Sequence, residues 1–146
     1  MQFRDRVKID LSDTGVAHVQ LVRPEKMNAL DHDMFEAIIE AGEALRKTSG
    51  VRVVFLSGQG RAHCAGLDLS NFTRERSVDE PALPERTHGN ANRPQQVAMQ
   101  WRKLSVPVIT AIQGVCFGGG LQLASGADIR SVHPETRMAI MELKWG

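Results

Sequence analysis

The chain has 146 residues, room for one domain of ordinary size and too few for two. Its 18 basic and 17 acidic side chains leave a net charge of +1, which argues against a broad basic face for nucleic acid. With 42% hydrophobic and 24% charged residues the composition is that of a globular protein, and no apolar run reaches membrane-spanning length, so a soluble chain is expected.

Residues 7–11 alternate apolar and polar side chains, residues 12–15 form a turn cluster, and residues 16–22 resume the alternation, predicting a β-hairpin that Arg23-Pro24 ends. Asp31 is the expected N-cap of a helix carrying Met34, Phe35, Ile38, Ile39, Ala41 and Leu45 on one face. Asp33 and Glu36 near its start and Arg46 and Lys47 near its end suit the helix dipole, and Ser49-Gly50 supplies a stop. Residues 51–56 predict a buried strand, followed by a glycine-bearing loop to Asp68. Residues 70–94 are polar, broken by proline and aperiodic, which predicts a mobile surface loop with room for one helical turn. A helix is expected over 95–104, a strand over 106–112, a helix from Leu121, a strand over 129–132 and a short apolar segment over 138–141. The order β-β-α-β-α-β-α-β places the chain in the α/β class.

Two loops share a physical logic: Arg61-Ala62-His63-Cys64-Ala65-Gly66-Leu67-Asp68-Leu69 and Gln113-Gly114-Val115-Cys116-Phe117-Gly118-Gly119-Gly120-Leu121-Gln122. Each follows a predicted buried strand and places small residues before a predicted helix. Helix starts present unpaired N–H groups, and glycine removes the Cβ that would keep a ligand from them. Meeting in space, the loops would offer two donors to one developing oxyanion. The same residues also fit plain tight turns. Neither G-x-x-x-x-G-K-[ST] nor G-x-G-x-x-G occurs, which leaves no P-loop or dinucleotide fingerprint.

His63 and Cys64 are adjacent and point to opposite sides of an extended chain, so Cys64 reads as a small buried residue rather than a nucleophile, and Cys116 likewise. Without a secretory segment, both cysteines are expected reduced in a cytoplasmic protein. Asp128 and Arg130 read as structural, and no cluster has metal-ligand spacing.

Four segments, in order, resemble the crotonase (enoyl-CoA hydratase/isomerase) superfamily: RPEKMNAL at 23–30, VRVVFLSGQGRAHCAGLDL at 51–69, PVITAIQGVCFGGGLQLASGAD at 107–128, and residues 138–146. The resemblance implies a crotonase-like spiral of β-β-α units forming a single partial core domain over 1–146, stopping before the C-terminal trimerisation helices. It implies an acyl-CoA substrate, with coenzyme A as part of it and no tightly bound cofactor, and trimers or hexamers of the full-length form. By position it places oxyanion N–H groups on Leu67 and Gly119, the pantetheine and adenine channel along Ala65, Asp68 and Leu69, and Arg23 and Lys26 near the CoA phosphates. Hydratases of the family hold water between two glutamates. Glu142 matches one, but Gln122 stands at the other, and glutamine cannot act as a general base. A single glutamate resembles the family's enoyl-CoA isomerases, while a further acid used by dienoyl-CoA isomerases would fall just past Gly146. The expected activity is therefore fatty-acyl or related acyl-CoA isomerisation or hydration through a thioester enolate. A non-catalytic acyl-CoA-binding member is the alternative, and RNA binding lacks a basic stripe with aromatics.

Overall fold

The computed structural model describes residues 1–145 except Arg76 and Asp79, with the backbone alone at Lys144 and Trp145. Three strands open the chain: β1 (Gln2–Phe3), β2 (Val7–Leu11) and β3 (Val16–Leu21). The expected hairpin is β2 and β3, antiparallel with Ile9 opposite Val19. Strand β1, too short to carry a pattern, pairs with β2.

Helix α1 (His32–Lys47) starts where Asp31 accepts a hydrogen bond from the Met34 amide at 2.8 Å. Its buried stripe includes Met34, Ile38 and Leu45, which join Val19, Leu21 and Leu56 in the main core. Complete burial of a side chain such as Ile38 is worth about 1.5–3 kcal/mol. Strand β4 (Val53–Gly58) begins two residues later than expected, because Arg52 and Val53 donate to the Gly15 carbonyl and turn the chain into the sheet.

A short helix, α2 (Ser70–Thr73), opens the 70–94 segment, and α3 (Arg93–Met99) closes it. The expected helix over 95–104 is α3 plus a 3-10 turn, Trp101–Lys103. Asn92 and Gln95 form a reciprocal cap, so Pro94 sits in the first helical turn, where its missing N–H costs nothing. The rest of the chain is β5 (Val108–Ile112), β6 (Val115–Phe117), α4 (Gly119–Ser125), β7 (Ile129–Val132), β8 (Arg137–Ala139) and α5 (Glu142–Trp145).

The large sheet has the order β1-β2-β3-β4-β5-β7 and is parallel from β3 onward; β6 and β8 form a second, parallel pair. Single β-bridges extend that pair on the other side. Cys64 pairs with Cys116 of β6, and Leu30 pairs with Leu67. A repeat thus emerges. Each turn of the chain places one strand in the large sheet, one short extended stretch in the second layer, and then a helix: β3, Leu30 and α1; β4, residues 64–67 and α2–α3; β5, β6 and α4; β7, β8 and α5. This is a spiral of β-β-α units. The second-layer stretches are only one to three paired residues each, too short for periodicity to reveal, so the repeat is invisible in the sequence.

Candidate active site

The second layer brings the two glycine-bearing loops together. The Leu30 amide donates to the Gly66 carbonyl at 2.8 Å and the Asp68 amide to the Leu30 carbonyl at 3.0 Å, so Leu67 is framed on both sides. The peptide joining Gly66 and Leu67 is planar and trans, so its N–H points opposite to its carbonyl. With the Gly66 carbonyl turned toward Leu30, the Leu67 N–H faces away from it.

On the far side runs the second loop. The Cys64 amide donates to the Val115 carbonyl, and the Phe117 amide returns to the Cys64 carbonyl. Gly66 has φ +92°, and a methyl placed on it would lie 2.7 Å from the Phe117 carbonyl oxygen and 3.7 Å from the Gly119 nitrogen. A side chain there would separate the loops. Gly119 is the first residue of α4, and its N–H has no intrahelical acceptor. Among the described residues, neither the Leu67 nor the Gly119 N–H makes a hydrogen bond.

Gln122 and Glu142 meet beside the same helix start. The Gln122 amide donates to Glu142 Oε1 at 3.0 Å, and both side chains are exposed. Gly118 caps α4 with φ 47° and ψ −120°, and its amide donates to the Ala139 carbonyl of β8. That bond draws the β8–α5 corner in, until the Glu142 carboxylate lies 3.1 Å from where a Gly118 side chain would begin. The structure therefore gathers Leu67, Gly119, Gln122 and Glu142 around two adjoining loops, although they come from three turns of the spiral.

Of the residues expected along the CoA channel, Leu69 is largely exposed and Ala65 partly buried, its amide donating to the Met27 carbonyl. Lys26 is exposed and makes no ion pair among the described residues. The Arg23 side chain is 12% exposed, Nη1 lies 2.6 Å from Asp68 Oδ2, and Nη2 lies 3.4 Å from Asp31. Asp68 in turn accepts from the Ser70 amide, which with Arg23 holds its carboxyl down at about 2 despite partial burial.

Asn28 was not singled out from the sequence. It is fully buried, adopts φ 54°, takes the Arg23 amide on its Oδ1 and donates to the carbonyls of Gln59, Ala62 and His63. One side chain thus pins the first loop to the turn before α1. The available signal was the residue type, since asparagine tolerates the left-handed region.

His63 is buried as well. Nδ1 lies 3.1 Å from the Ala111 carbonyl, which assigns the proton to that nitrogen, while Nε2 has no partner. Burial lowers its pKa to about 4, so the ring is neutral. Burial likewise pushes the Cys64 thiol up to about 12 and Cys116 to about 11, and although the two cysteines are bridge neighbours they remain free thiols. Neither is poised as a nucleophile. Asp128 accepts from the Val108 amide and Arg130 donates to the Ala127 carbonyl, so both tie backbone segments together.

A cavity of about 370 Å³ lies elsewhere, between α1, α3 and the 70–94 segment, and is lined by Glu36, Asn71, Arg74, Leu83, His88 and Arg93. None of the four gathered residues borders it. Among the described residues no group of three or more His, Cys, Asp or Glu side chains could hold a metal ion, and no helix is long and apolar enough to cross a membrane.

A spiral of β-β-α units whose second layer presents two glycine-lined N–H corners beside a carboxylate defines a crotonase-type α/β protein. Residues 12–146 match the sequence model described as "Enoyl-CoA hydratase/isomerase", and the chain belongs to that family. It is 32% identical over 143 residues to hydroxycinnamoyl-CoA hydratase-lyase of Pseudomonas fluorescens, covering 96% of this chain and 50% of that one. It is also 32% identical over 146 residues to the mitochondrial Delta(3,5)-Delta(2,4)-dienoyl-CoA isomerase of Mus musculus, covering 97% and 45%. Among solved structures, an enoyl-CoA hydratase of Mycobacterium smegmatis superposes with a TM-score of 0.79 at 29% identity, covering 97% of this chain and 52% of that one. A monofunctional enoyl-CoA isomerase from M. smegmatis gives 0.70 at 31%, covering 92% and 53%. The chain spans about half the length of the curated relatives it matches.

Proposed function

We propose that the chain carries the enolate-stabilising centre of an acyl-CoA isomerase or hydratase of fatty-acid or related acyl-CoA metabolism. The observation that carries this reading is the pair of unused N–H groups at Leu67 and Gly119, on loops in backbone contact. The thioester oxygen accepts both donors. As a proton leaves the adjacent carbon, negative charge moves onto that oxygen, and each donor is worth about 2.7–4 kcal/mol to the transition state. Glu142 takes the proton from one carbon and returns it to another, while Gln122 holds the Glu142 carboxylate and orients substrate or water. With one carboxylate at this point rather than two, isomerisation is favoured over hydration.

The CoA portion runs past Ala65, Asp68 and Leu69, and exposed Lys26 is the better placed of the two basic residues for its phosphates, since the Arg23 guanidinium is engaged by carboxylates. In this reading the chain acts as one partial core domain. The full-length form assembles as a trimer or hexamer in the cytoplasm, a reducing setting that suits two free thiols. Relatives with mitochondrial and peroxisomal names support the chemistry more than that compartment.

Gln122, standing where the family resemblance expects a glutamate, favours a second reading, that of a non-catalytic acyl-CoA-binding member. One experiment separates the two. The chain and its Glu142→Gln variant are incubated with enoyl-, dienoyl- and 3-hydroxyacyl-CoA thioesters and products are followed by mass and absorbance. Turnover that Glu142→Gln abolishes supports the enzyme; binding without turnover of any thioester supports the second reading; turnover unchanged in the variant removes Glu142 from the mechanism.

A further inference from the structure

We propose that Arg23 is a positioning residue that fixes the direction of the Leu67 N–H, rather than a contact to the CoA phosphates; this rests on the reading of Leu67 as an oxyanion donor. The bridge between Leu30 and Leu67 sets that N–H, and Arg23 brackets the bridge. Its Nη1 donates to the carbonyl of Ala29, just before Leu30, at 3.0 Å. Its Nη2 lies 3.4 Å from Asp31, just after Leu30. The same Nη1 reaches Asp68, just after Leu67, at 2.6 Å. One planar guanidinium therefore clamps both strands of the bridge, a task its rigid fork suits and a lysine ammonium does not.

The surroundings point the same way. Arg23, Asp31 and Asp68 are each no more than 13% exposed, so little of the guanidinium is left for a solvent-borne phosphate. Asp31 is shared with Arg6 and caps α1; Asp68 is held from its other side by the Ser70 amide. The network thus connects the start of α1 to the start of α2 through the residue that flanks the donor. Charge-assisted bonds of this kind, screened from water, hold geometry better than exposed pairs do.

The test uses Arg23→Gln, Arg23→Lys, Asp68→Asn and the Arg23→Gln/Asp68→Asn double variant of the whole chain. Steady-state kinetics with an enoyl-CoA are paired with the backbone NMR order parameter of Leu67 measured without substrate. Arg23→Gln is expected to lower kcat by about 10–100-fold, a part of what losing one donor costs, with KM within about twofold. Arg23→Lys should recover part of the loss. Asp68→Asn, which keeps an acceptor for Ser70 and is the gentler change, should move kcat in the same direction. The double variant should fall no further than Arg23→Gln, as expected for two groups acting through one contact. The Leu67 order parameter should drop from about 0.85 toward 0.6 while that of Gly119 holds. A rise in KM alone would make Arg23 a phosphate contact and overturn the proposal, as would an unchanged kcat and Leu67 order parameter. If the wild-type chain turns over no CoA thioester, the enolate reading fails, and the Leu67 order parameter alone decides whether the clamp exists.

Discussion

The side-chain amide of Gln122 donates to Glu142 Oε1 at 3.0 Å, so an uncharged group sits in hydrogen-bond contact with that carboxylate. Replacing Gln122 with Glu converts that hydrogen bond into two like charges at contact distance. The pair then titrates in two coupled steps, one of them raised. Hydration of an enoyl-CoA is expected to rise by about 100-fold, the scale of general acid–base help. The pH–rate profile should gain a second inflection. A variant that hydrates no faster, with an unaltered profile, would show that the identity of residue 122 does not choose the reaction.

Gly118 combines a left-handed φ of 47° with a carboxylate 3.1 Å from its potential side chain. Gly118→Ala should lower stability by about 1–3 kcal/mol through backbone strain. It should also displace Glu142, lowering kcat more than a substitution at exposed Ser125, at the other end of α4, would. Thermal denaturation and steady-state kinetics on the two variants check this.

The pH dependence of stability should carry the signature of His63. Its folded pKa is about 4 against an ordinary 6.5, so the unfolded chain takes up the proton first. The stability tied to the neutral ring is whole above about pH 6.5 and is lost as pH falls from 6.5 toward 4. The loss is on the order of 3 kcal/mol. His63→Asn keeps a donor for the Ala111 carbonyl and removes the titration, so its urea midpoint should change less between pH 7 and 4.5 than that of the wild type. Equal slopes would exclude His63 as the source.

Cys64 and Cys116 are buried with thiols pushed up to about 12 and 11. Native protein at pH 8 should leave both unmodified by a thiol reagent, and denaturant should release two equivalents together. Fast labelling of either thiol in the native state would contradict the burial.

Where the fold was legible, a long element carried the signal. Asp31 and the stripe from Met34 to Leu45 announce α1, and the alternation around Ser12–Gly15 announces the hairpin. Elements of three residues have no period to read, so β6 stayed hidden inside glycine-rich sequence and β8 showed only as a short apolar segment. Pro94 reads as a breaker in isolation, because its place in the first turn of α3 depends on Asn92 capping that turn. For the candidate site, loop composition suggested where amides would be bare, and the Leu67 and Gly119 N–H groups make no hydrogen bond among the described residues. Composition could not tell that Arg23 would turn inward to Asp68, since a basic residue beside a turn ordinarily faces water.

Both proposed donors belong to the main chain, so the electrophilic half of the chemistry is written in the path of the backbone rather than in any replaceable functional group. On that reading, exchanging the side chain at Leu67 for any other than proline, which lacks the N–H, keeps the donor. The side chains of Glu142, on α5, and of Gln122, one turn past Gly119 on α4, can by contrast be altered one at a time. A lineage built this way can change which bond it makes or breaks by point substitution while keeping its activating centre. That division of labour offers a physical reason why relatives bearing the names hydratase, hydratase-lyase and isomerase share one scaffold.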